Sequence, residues 1–476
     1  MPQAAESVLP AVEHPGEPQA NELRRRLQAI EPHCLRTYTP SLAVFAHSEG
    51  SYHYTPDGRK LADFSSGVLV TNLGHNPARW WRRLLDYMNV DPASLARDGF
   101  LSAVALTAYN AATEVEILAS ERLVALMRKQ PGGARCEQVM WAASGSEAIQ
   151  KALWCALDRR EGEDMILATR FGFHGKKGLA GAVTGSEQDN DRDPRVRFIS
   201  FPLEECNSIE RRRQPCKLTK YERELDLLWH TYGNRICCLI TEPYLGGGGS
   251  FHPQREYLQL LEHFCRAHDI LFIFDEVQSN FGRTGELFAF THYGVEPDIV
   301  VLGKGLGNGV AVSAAVGRAD LFARMHYGEA SDTWSGNPLS SAAVLATLDE
   351  FASSDVIVHA RKLAQVLESG LSRLSALPAV SNVRGEGVVW GVECAAIGGN
   401  DAEAVASACV KACYLGDDQC RAIHLLGPLA GKVIRVSPPL VMPLDEAREY
   451  LDAMYEILAR VGREFALDSS PFQVRT

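Results

Sequence analysis

Asp298-Ile-Val-Val-Leu-Gly-Lys304-Gly-Leu-Gly-Asn-Gly309 decides the fold, together with Ile270-Leu-Phe-Ile-Phe-Asp275-Glu-Val-Gln278 upstream of it. Each stretch opens with a short, continuously apolar run and breaks off abruptly at polar or glycine residues. Apolar runs of this length without alternation fit strands buried on both faces, the habit of a parallel sheet covered by helices. Asp275 ends one such strand and Lys304 follows the next, so an acid and an amine converge on one edge of a sheet. That edge is where open α/β sheets bind ligands. A lysine in a tight loop is ordinarily a solvated charge, but Gly303 and Gly305 flank this one, and glycine lets a backbone approach a ligand closely.

Outward from this pair the pattern repeats. Val139–Ala143, Met165–Ala168, Val196–Ser200 and Ile236–Thr241 read as further strands, with helical spacing between them. His252-Pro253 opens a helix with proline at its first turn, and its Tyr257, Leu258, Leu260, Leu261 and Phe264 fall on one face. Alternation of this kind implies an α/β class with a mostly parallel sheet. Before it, Gly50–Phe64 reads as a hairpin around Pro56-Asp57-Gly58, preceded by a helix through Leu23–Ile30. After residue 340 a long helix, Leu339–Phe351, leads into strands at Val388–Glu393 and Val433–Val436. The expected organisation is a disordered segment over 1–20, rich in Pro, Glu, Gln and Ala. Residues 21–95 then begin a small lobe, 96–340 form a large domain, and 341–476 form a C-terminal small domain.

At 476 residues the chain is too long for one simple core. Its formal charge of −11 argues against a nucleic-acid binder, which would show a basic face. The basic run Arg211-Arg212-Arg213 reads as a solvated face. Twelve cysteines are scattered, several in apolar runs, which fits reduced buried thiols rather than a disulfide framework. Cys409 and Cys413, and the group His263, Cys265 and His268, lack a CxxC partner, so no metal is expected from them. The N-terminus carries no basic-then-apolar signal and no run of 18 apolar residues occurs, which points to a cytoplasmic protein without membrane contact.

Four further segments bear on chemistry. Ser144-Gly-Ser146-Glu147 opens a helix: Ser144 and Glu147 have capping-box spacing, and the same turn can hold a phosphate on exposed backbone N–H groups. Phe171-Gly-Phe173-His174-Gly175 follows a strand; its rings either pack or stack on a planar ligand. Glu242-Pro243 ends another strand before Gly246–Gly249, which reads alone as a flexible turn. Gly303–Gly309 is neither a dinucleotide fingerprint nor a Walker loop. The Lys304–Asp275 pair suits pyridoxal phosphate, whose aldehyde condenses with a lysine and whose pyridine nitrogen needs a carboxylate.

In this order the segments resemble the class III aminotransferases of the fold type I pyridoxal-phosphate enzymes, a group that includes enzymes for ω-amino acids, 4-aminobutyrate and ornithine. The resemblance runs from about Tyr38 to the C-terminus. It also rests on Glu49–Tyr54, Asp57-Gly58-Arg59, Asp63-Phe64, Gly74-His75-Asn76-Pro77, Thr333–Pro338, Arg384-Gly385-Glu-Gly387 and Arg435–Pro439. It implies a large domain with a mostly parallel seven-stranded sheet, a smaller α+β lobe built from both termini, and a homodimer with shared active sites.

By the same resemblance Lys304 forms the Schiff base and carries the proton, and Asp275 keeps the ring nitrogen protonated. Gly145 and Ser146 hold the phosphate, completed by Thr333 from the partner subunit. Phe173 and Val277 cover the two ring faces, Gln278 binds the ring hydroxyl, and Glu242 and His174 shape the pocket. Arg435 binds a substrate carboxylate, with Lys176 and Val68 also assigned to the substrate side. Two positions depart from many relatives. Gly247 stands where a glutamate parks the arginine, and Lys176 stands where an arginine grips a carboxylate bidentately. The implied reaction moves an amino group from a primary amine or ω-amino acid to a 2-oxo acid. Decarboxylation, an internal amino shift or elimination on the same fold are alternatives, and a non-catalytic interaction protein is the rival from another class.

Overall fold

The computed structural model describes residues 12–96, 98–189 and 193–468. Near the N-terminus, β1 (His47–Glu49), β2 (Tyr52–Tyr54) and β3 (Lys60–Asp63) form an antiparallel meander. The middle of the chain supplies β4 (Gln138–Ala142), β5 (Met165–Thr169), β6 (Val196–Ile199), β7 (Ile236–Thr241), β8 (Leu271–Asp275), β9 (Ile299–Leu302) and β10 (Ser313–Gly317). These pair in the order β4-β10-β9-β8-β7-β5-β6, parallel except that β10 runs against both neighbours. Toward the C-terminus follow β11 (Val380–Glu386), β12 (Val389–Cys394), β13 (Ala422–His424) and β14 (Val433–Val436). β11, β12 and β14 make a three-stranded antiparallel sheet, and β13 joins the meander parallel to β3, Ile423 opposite Ala62.

The period of two along each central strand sorts its side chains between two cores. Ile166, Ala168, Ile240, Ile273 and Val301 face the helix Gly145–Leu157, which buries Ala148, Ile149, Ala152, Leu153 and Ala156. Leu167, Leu239, Phe272, Phe274, Val300 and Leu302 point the other way, toward Tyr257, Leu258, Leu261 and Phe264 of the helix Arg255–Ala267. A third core combines Ala62, Phe64 and Trp80 with Trp390, Cys409 and Leu458, so the two ends of the chain share one interior. Among the described residues no helix is long and apolar enough to cross a membrane.

The structure departs from the sequence reading at four points. Disorder was expected over 1–20; residues 1–11 lie outside the described part, but the first helix begins at Pro18. Glu17 just before it is fully buried, accepts the Tyr414 hydroxyl at 2.8 Å and pairs with Arg24 at 2.7 Å. A polar composition cannot reveal that one of its acids is a buried ion partner. Pro253 precedes the helix rather than opening it, since Gln254 is the N-cap. β10 carries no apolar run: Ser-Ala-Ala-Val-Gly is small because the strand is crowded, and a Cβ on Gly317 would come within 2.6 Å of the Asp298 carbonyl.

The fourth concerns Arg212, which turns inward from the basic run to pair with Glu386 at the end of β11. His292 Nε2 lies 3.1 Å from the same carboxylate. Burial pushes the Glu386 carboxyl up, but His292 and Arg212 prevail and hold it at about 2. The stability this contributes is present above the ordinary carboxylate range and is lost as pH falls toward 2. Arg212→Ala is expected to cost about 1–3 kcal/mol at neutral pH, because it leaves the mostly buried Glu386 carboxylate with His292 as its remaining partner. Urea unfolding should show that deficit shrinking at acid pH, where Glu386 of the variant takes up a proton.

Candidate functional site

β8 and β9 are adjacent and parallel, with Asp275 opposite Val301, so Asp275 and Lys304 emerge at the same sheet edge. Asp275 is buried and clamped: Oδ2 lies 2.7 Å from His174 Nδ1, and Oδ1 accepts the Val277 N–H at 3.0 Å. The adjoining Glu276 serves the core instead, accepting the N–H groups of Ala289 and Phe290 at 2.7 Å each. One acid therefore faces the site while its neighbour caps a short helix.

Lys304 adopts φ +47°, a left-handed conformation uncommon for a residue with a side chain. Asn280 anchors the turn by donating to the Gly303 carbonyl at 3.0 Å. Burial and the nearby Arg435 guanidinium lower the Lys304 amine to about 7, against the opposing pull of Glu242 and Asp275. The flanking glycines do not make room for a ligand, as the sequence suggested. A Cβ on Gly305 would lie 2.4 Å from Asn72 Nδ2, and one on Gly303 2.7 Å from Ser313 Oγ. Protein fills that space, so the glycines permit close packing.

The helix Gly145–Leu157 begins as expected, with the capping box between Ser144 and Glu147 in place. The N–H groups of Gly145 and Ser146 precede its first internal hydrogen bond and remain open for an anion. Val277 borders this turn: a Cβ on Gly145 would meet its Cγ1 at 3.1 Å, and one on Gly303 at 3.2 Å. Gly175 packs on Ser146 from the other side, where a Cβ would reach Ser146 Oγ at 2.5 Å. Phe173 is 42% exposed, so its ring is free to cover something. Its N–H donates to Glu242 Oε1 at 2.9 Å, and Gly246 N–H to Oε2 at 3.3 Å. Burial lifts the Glu242 carboxyl to about 7. His174 is buried, and its Nε2 has no hydrogen-bond partner.

Arg435 lies on β14, buried, with Nη1 donating to Gln278 Oε1 at 3.2 Å and Nε unpartnered. Burial lowers it to about 10, still a cation at neutral pH. Gly246–Gly249 is a packed turn rather than a flexible one. A Cβ on Gly246 would lie 2.3 Å from Gln278 Oε1, and one on Gly247 3.0 Å from Phe173 Cβ. Lys176 is exposed in the loop after His174, and Thr333 is exposed in a loop tied by Asp332 to Lys151 at 2.8 Å. Among the described residues of one chain, neither is hydrogen-bonded or ion-paired to Asp275 or Lys304. Val68, 38% exposed, belongs to a run of four left-handed residues, Ser66 to Leu69, with φ between 50° and 69°. Asp63 holds this arch through the N–H groups of Ser65 and Ser66, and Ser66 Oγ donates to the Ser437 carbonyl at 2.6 Å.

Sequence reasoning missed Arg283, which is fully buried without a carboxylate. Its Nε donates to Asn72 Oδ1 at 2.9 Å and its Nη1 to the Pro438 carbonyl at 2.7 Å. It joins the loop after β8 to Asn72 and to the segment after Arg435. The signal was the polar cluster Gln278-Ser-Asn280-Phe-Gly-Arg283 directly after a buried strand.

The profile of the family described as aminotransferase class-III matches residues 35–458. Acetylornithine aminotransferase of Agrobacterium fabrum is 30% identical over 429 residues, 87% of this chain and 93% of that protein. The 4-aminobutyrate aminotransferase of Mycobacterium bovis is 28% identical, covering 88% and 92%. Among solved structures, an amine transaminase from an uncultivated Pseudomonas species, in its pyridoxal-phosphate-bound form, superposes with TM-score 0.75 at 26% identity, covering 91% and 97%. Ornithine aminotransferase of Toxoplasma gondii shares the fold at TM-score 0.76 and 22% identity, covering 94% and 96%.

The crowding at Gly246 has a measurable consequence. Gly246→Ala is expected to displace the Gln278 amide and cost about 1–3 kcal/mol, as over-packing does. Thermal denaturation of the variant should show the loss; an unchanged midpoint would mean that the turn is slack.

Proposed function

We propose residue roles and a substrate class on one premise: the chain belongs to the aminotransferase class III family and is an aminotransferase. Its cofactor is pyridoxal 5'-phosphate, and the residues fit that group. An open helix N-terminus suits a phosphate, a buried amine suits an aldehyde, and a carboxylate clamped by two donors suits a ring nitrogen. The observation that carries the reading is the emergence of Asp275 and Lys304 from adjacent parallel strands. When bound, the cofactor supplies an aldehyde that takes up an amino group and a ring that accepts the electron pair left on the donor carbon.

In this reading Lys304 holds the cofactor covalently and, once displaced by substrate, its Nζ moves the proton at the donor carbon. Asp275, held between His174 and Val277, favours a proton on the ring nitrogen. Gly145 and Ser146 bind the phosphate, and the partner subunit's Thr333 completes the cup in a homodimer. Phe173 and Val277 pack on opposite ring faces and exclude water, Gln278 binds the ring hydroxyl, and Glu242 and His174 shape the pocket wall. The large domain that carries these groups spans 96–340, and residues 21–95 and 341–476 form the small lobe. The enzyme works in the cytoplasm. The relatives are named as transferases, and no observation favours decarboxylation, an amino shift or elimination.

The donor is an ω-amino acid and the acceptor a 2-oxo acid. Arg435 supports this class: among the described residues its side-chain hydrogen bond goes to Gln278, which is neutral, and Gly247 offers no acid to park it. The guanidinium is therefore available for a carboxylate in both halves of the reaction, with Lys176 and Val68 bordering the same space.

Lys304→Ala is expected to lower turnover roughly a thousandfold. Borohydride reduction of the wild type followed by peptide mapping should label Lys304, and a label elsewhere would refute the assignment. Because its amine sits at about 7, cofactor capture by the apoprotein should rise about tenfold per pH unit below neutrality and level off above it. Arg435→Ala should weaken carboxylate substrates by about 10- to 100-fold in kcat/KM, the worth of a charge-assisted hydrogen bond. An unchanged preference for dicarboxylic over monocarboxylic acceptors would remove Arg435 from substrate binding.

A further inference from the structure

A second cluster of chemistry-bearing side chains lies in the small lobe, outside the machinery above. His53 on β2, Asp63 at the end of β3 and His75 after the arch each present one ligand-capable atom, and the three atoms lie within 4.8 Å of one another. His75 Nε2 is 2.8 Å from Asp63 Oδ2, and His53 Nε2 is 3.5 Å from the same oxygen. In a tetrahedral zinc site with bonds of 2.0–2.1 Å, neighbouring donor atoms sit about 3.3 Å apart. Small rotations of the two imidazole rings would therefore seat an ion.

Two observations point to a ligand rather than to a finished hydrogen-bond network. His53 is 3% exposed, yet its Nε2 makes no hydrogen bond of good geometry and meets Asp63 Oδ2 only as an ion-pair contact at 3.5 Å. His424, packed edge-on to His53 with ring centroids 5.2 Å apart, is 9% exposed, and its Nδ1 is also unpartnered. The surroundings already orient the candidate donors. Ser48 Oγ lies 2.7 Å from His53 Nδ1 and fixes the ring with Nε2 facing Asp63. Asp63 Oδ1 accepts Ser65 N–H at 2.8 Å, Ser65 Oγ at 2.7 Å and Ser66 N–H at 3.0 Å, which turns Oδ2 toward the two imidazoles, where His75 Nε2 meets it at 2.8 Å.

We propose that His53, Asp63 and His75 form a binding site for a zinc-class divalent cation, with water as fourth donor. Two imidazoles and one carboxylate suit zinc or cobalt rather than magnesium or calcium, which take oxygen ligands. The site is structural: Asp63 grips the left-handed arch of Ser66 to Leu69 through its other oxygen, so a bound ion pins the base of that arch.

The test uses the pyridoxal-phosphate-loaded protein, stripped with a chelator and titrated with zinc chloride. One equivalent per chain should survive desalting, by elemental analysis, and the melting midpoint should rise. Cobalt(II) should give the visible bands of a tetrahedral site. His53→Ala should abolish all three signals, and Ser48→Ala, which leaves all three donors in place, should weaken binding about tenfold. Zinc retained equally by wild type and His53→Ala would belong to the free thiols and overturn the proposal, as would failure to retain zinc at all. Lys304→Ala should bind zinc like the wild type, which separates this outcome from that of the catalytic assignment.

Discussion

The register of two neighbouring strands governs the molecule's chemistry. β8 and β9 run parallel with Asp275 opposite Val301, so an acid and an amine three residues further along leave the sheet side by side. No loop has to bring them together, and the hydrogen-bonded ladder that supports them is covered by helices on both faces. Loops supply the remaining parts, the His174 imidazole, the Glu242 carboxyl and the packed glycine turn, and each is fastened back to this edge. A site built on strand ends inherits the rigidity of the sheet, which a catalytic constellation requires.

Burial does the electrostatic work there. Lys304 and Arg435 share a low-dielectric region with Glu242 and Asp275, and the balance brings the amine and the Glu242 carboxyl both to about 7. Groups with shifts of this kind lose or take up protons near neutrality, the condition for proton transfer at physiological pH. Arg283, also buried, adds positive charge without a carboxylate of its own, and its neutral partners Asn72 and Pro438 keep that charge undiminished.

Much of this was legible in the chain before any coordinates. The strand at 299–302 and the capping box at Ser144 are local patterns, carried by residues within a few positions of one another. What stayed hidden depends on distant partners. Arg212 looks like part of a solvated triplet because Glu386, which turns it inward, lies far along the chain. Gly303 and Gly305 look like openings for a ligand, yet Ser313 and Asn72 occupy the space they leave. β10 is unreadable because crowding demands small residues, which have no hydrophobic rhythm. The left-handed arch at Ser66–Leu69 is equally silent, since three of its four residues are not glycine and only the grip of Asp63 and Ser437 makes that backbone tolerable.

The pairing of β3 with β13 places Ala62 beside Ile423, roughly 360 residues apart in the chain. During synthesis the early meander therefore waits with an unpaired edge while the whole central sheet is made. At ordinary elongation rates of about 5–20 residues per second that interval lasts on the order of half a minute. The central sheet can close on the ribosome, but the lobe that shares Arg435 with it is finished only at the end. An open strand edge held for that long is a docking surface for chaperones and for other nascent chains, so the yield of folded protein should depend on translation speed and on chaperone supply more than on the stability of the finished fold.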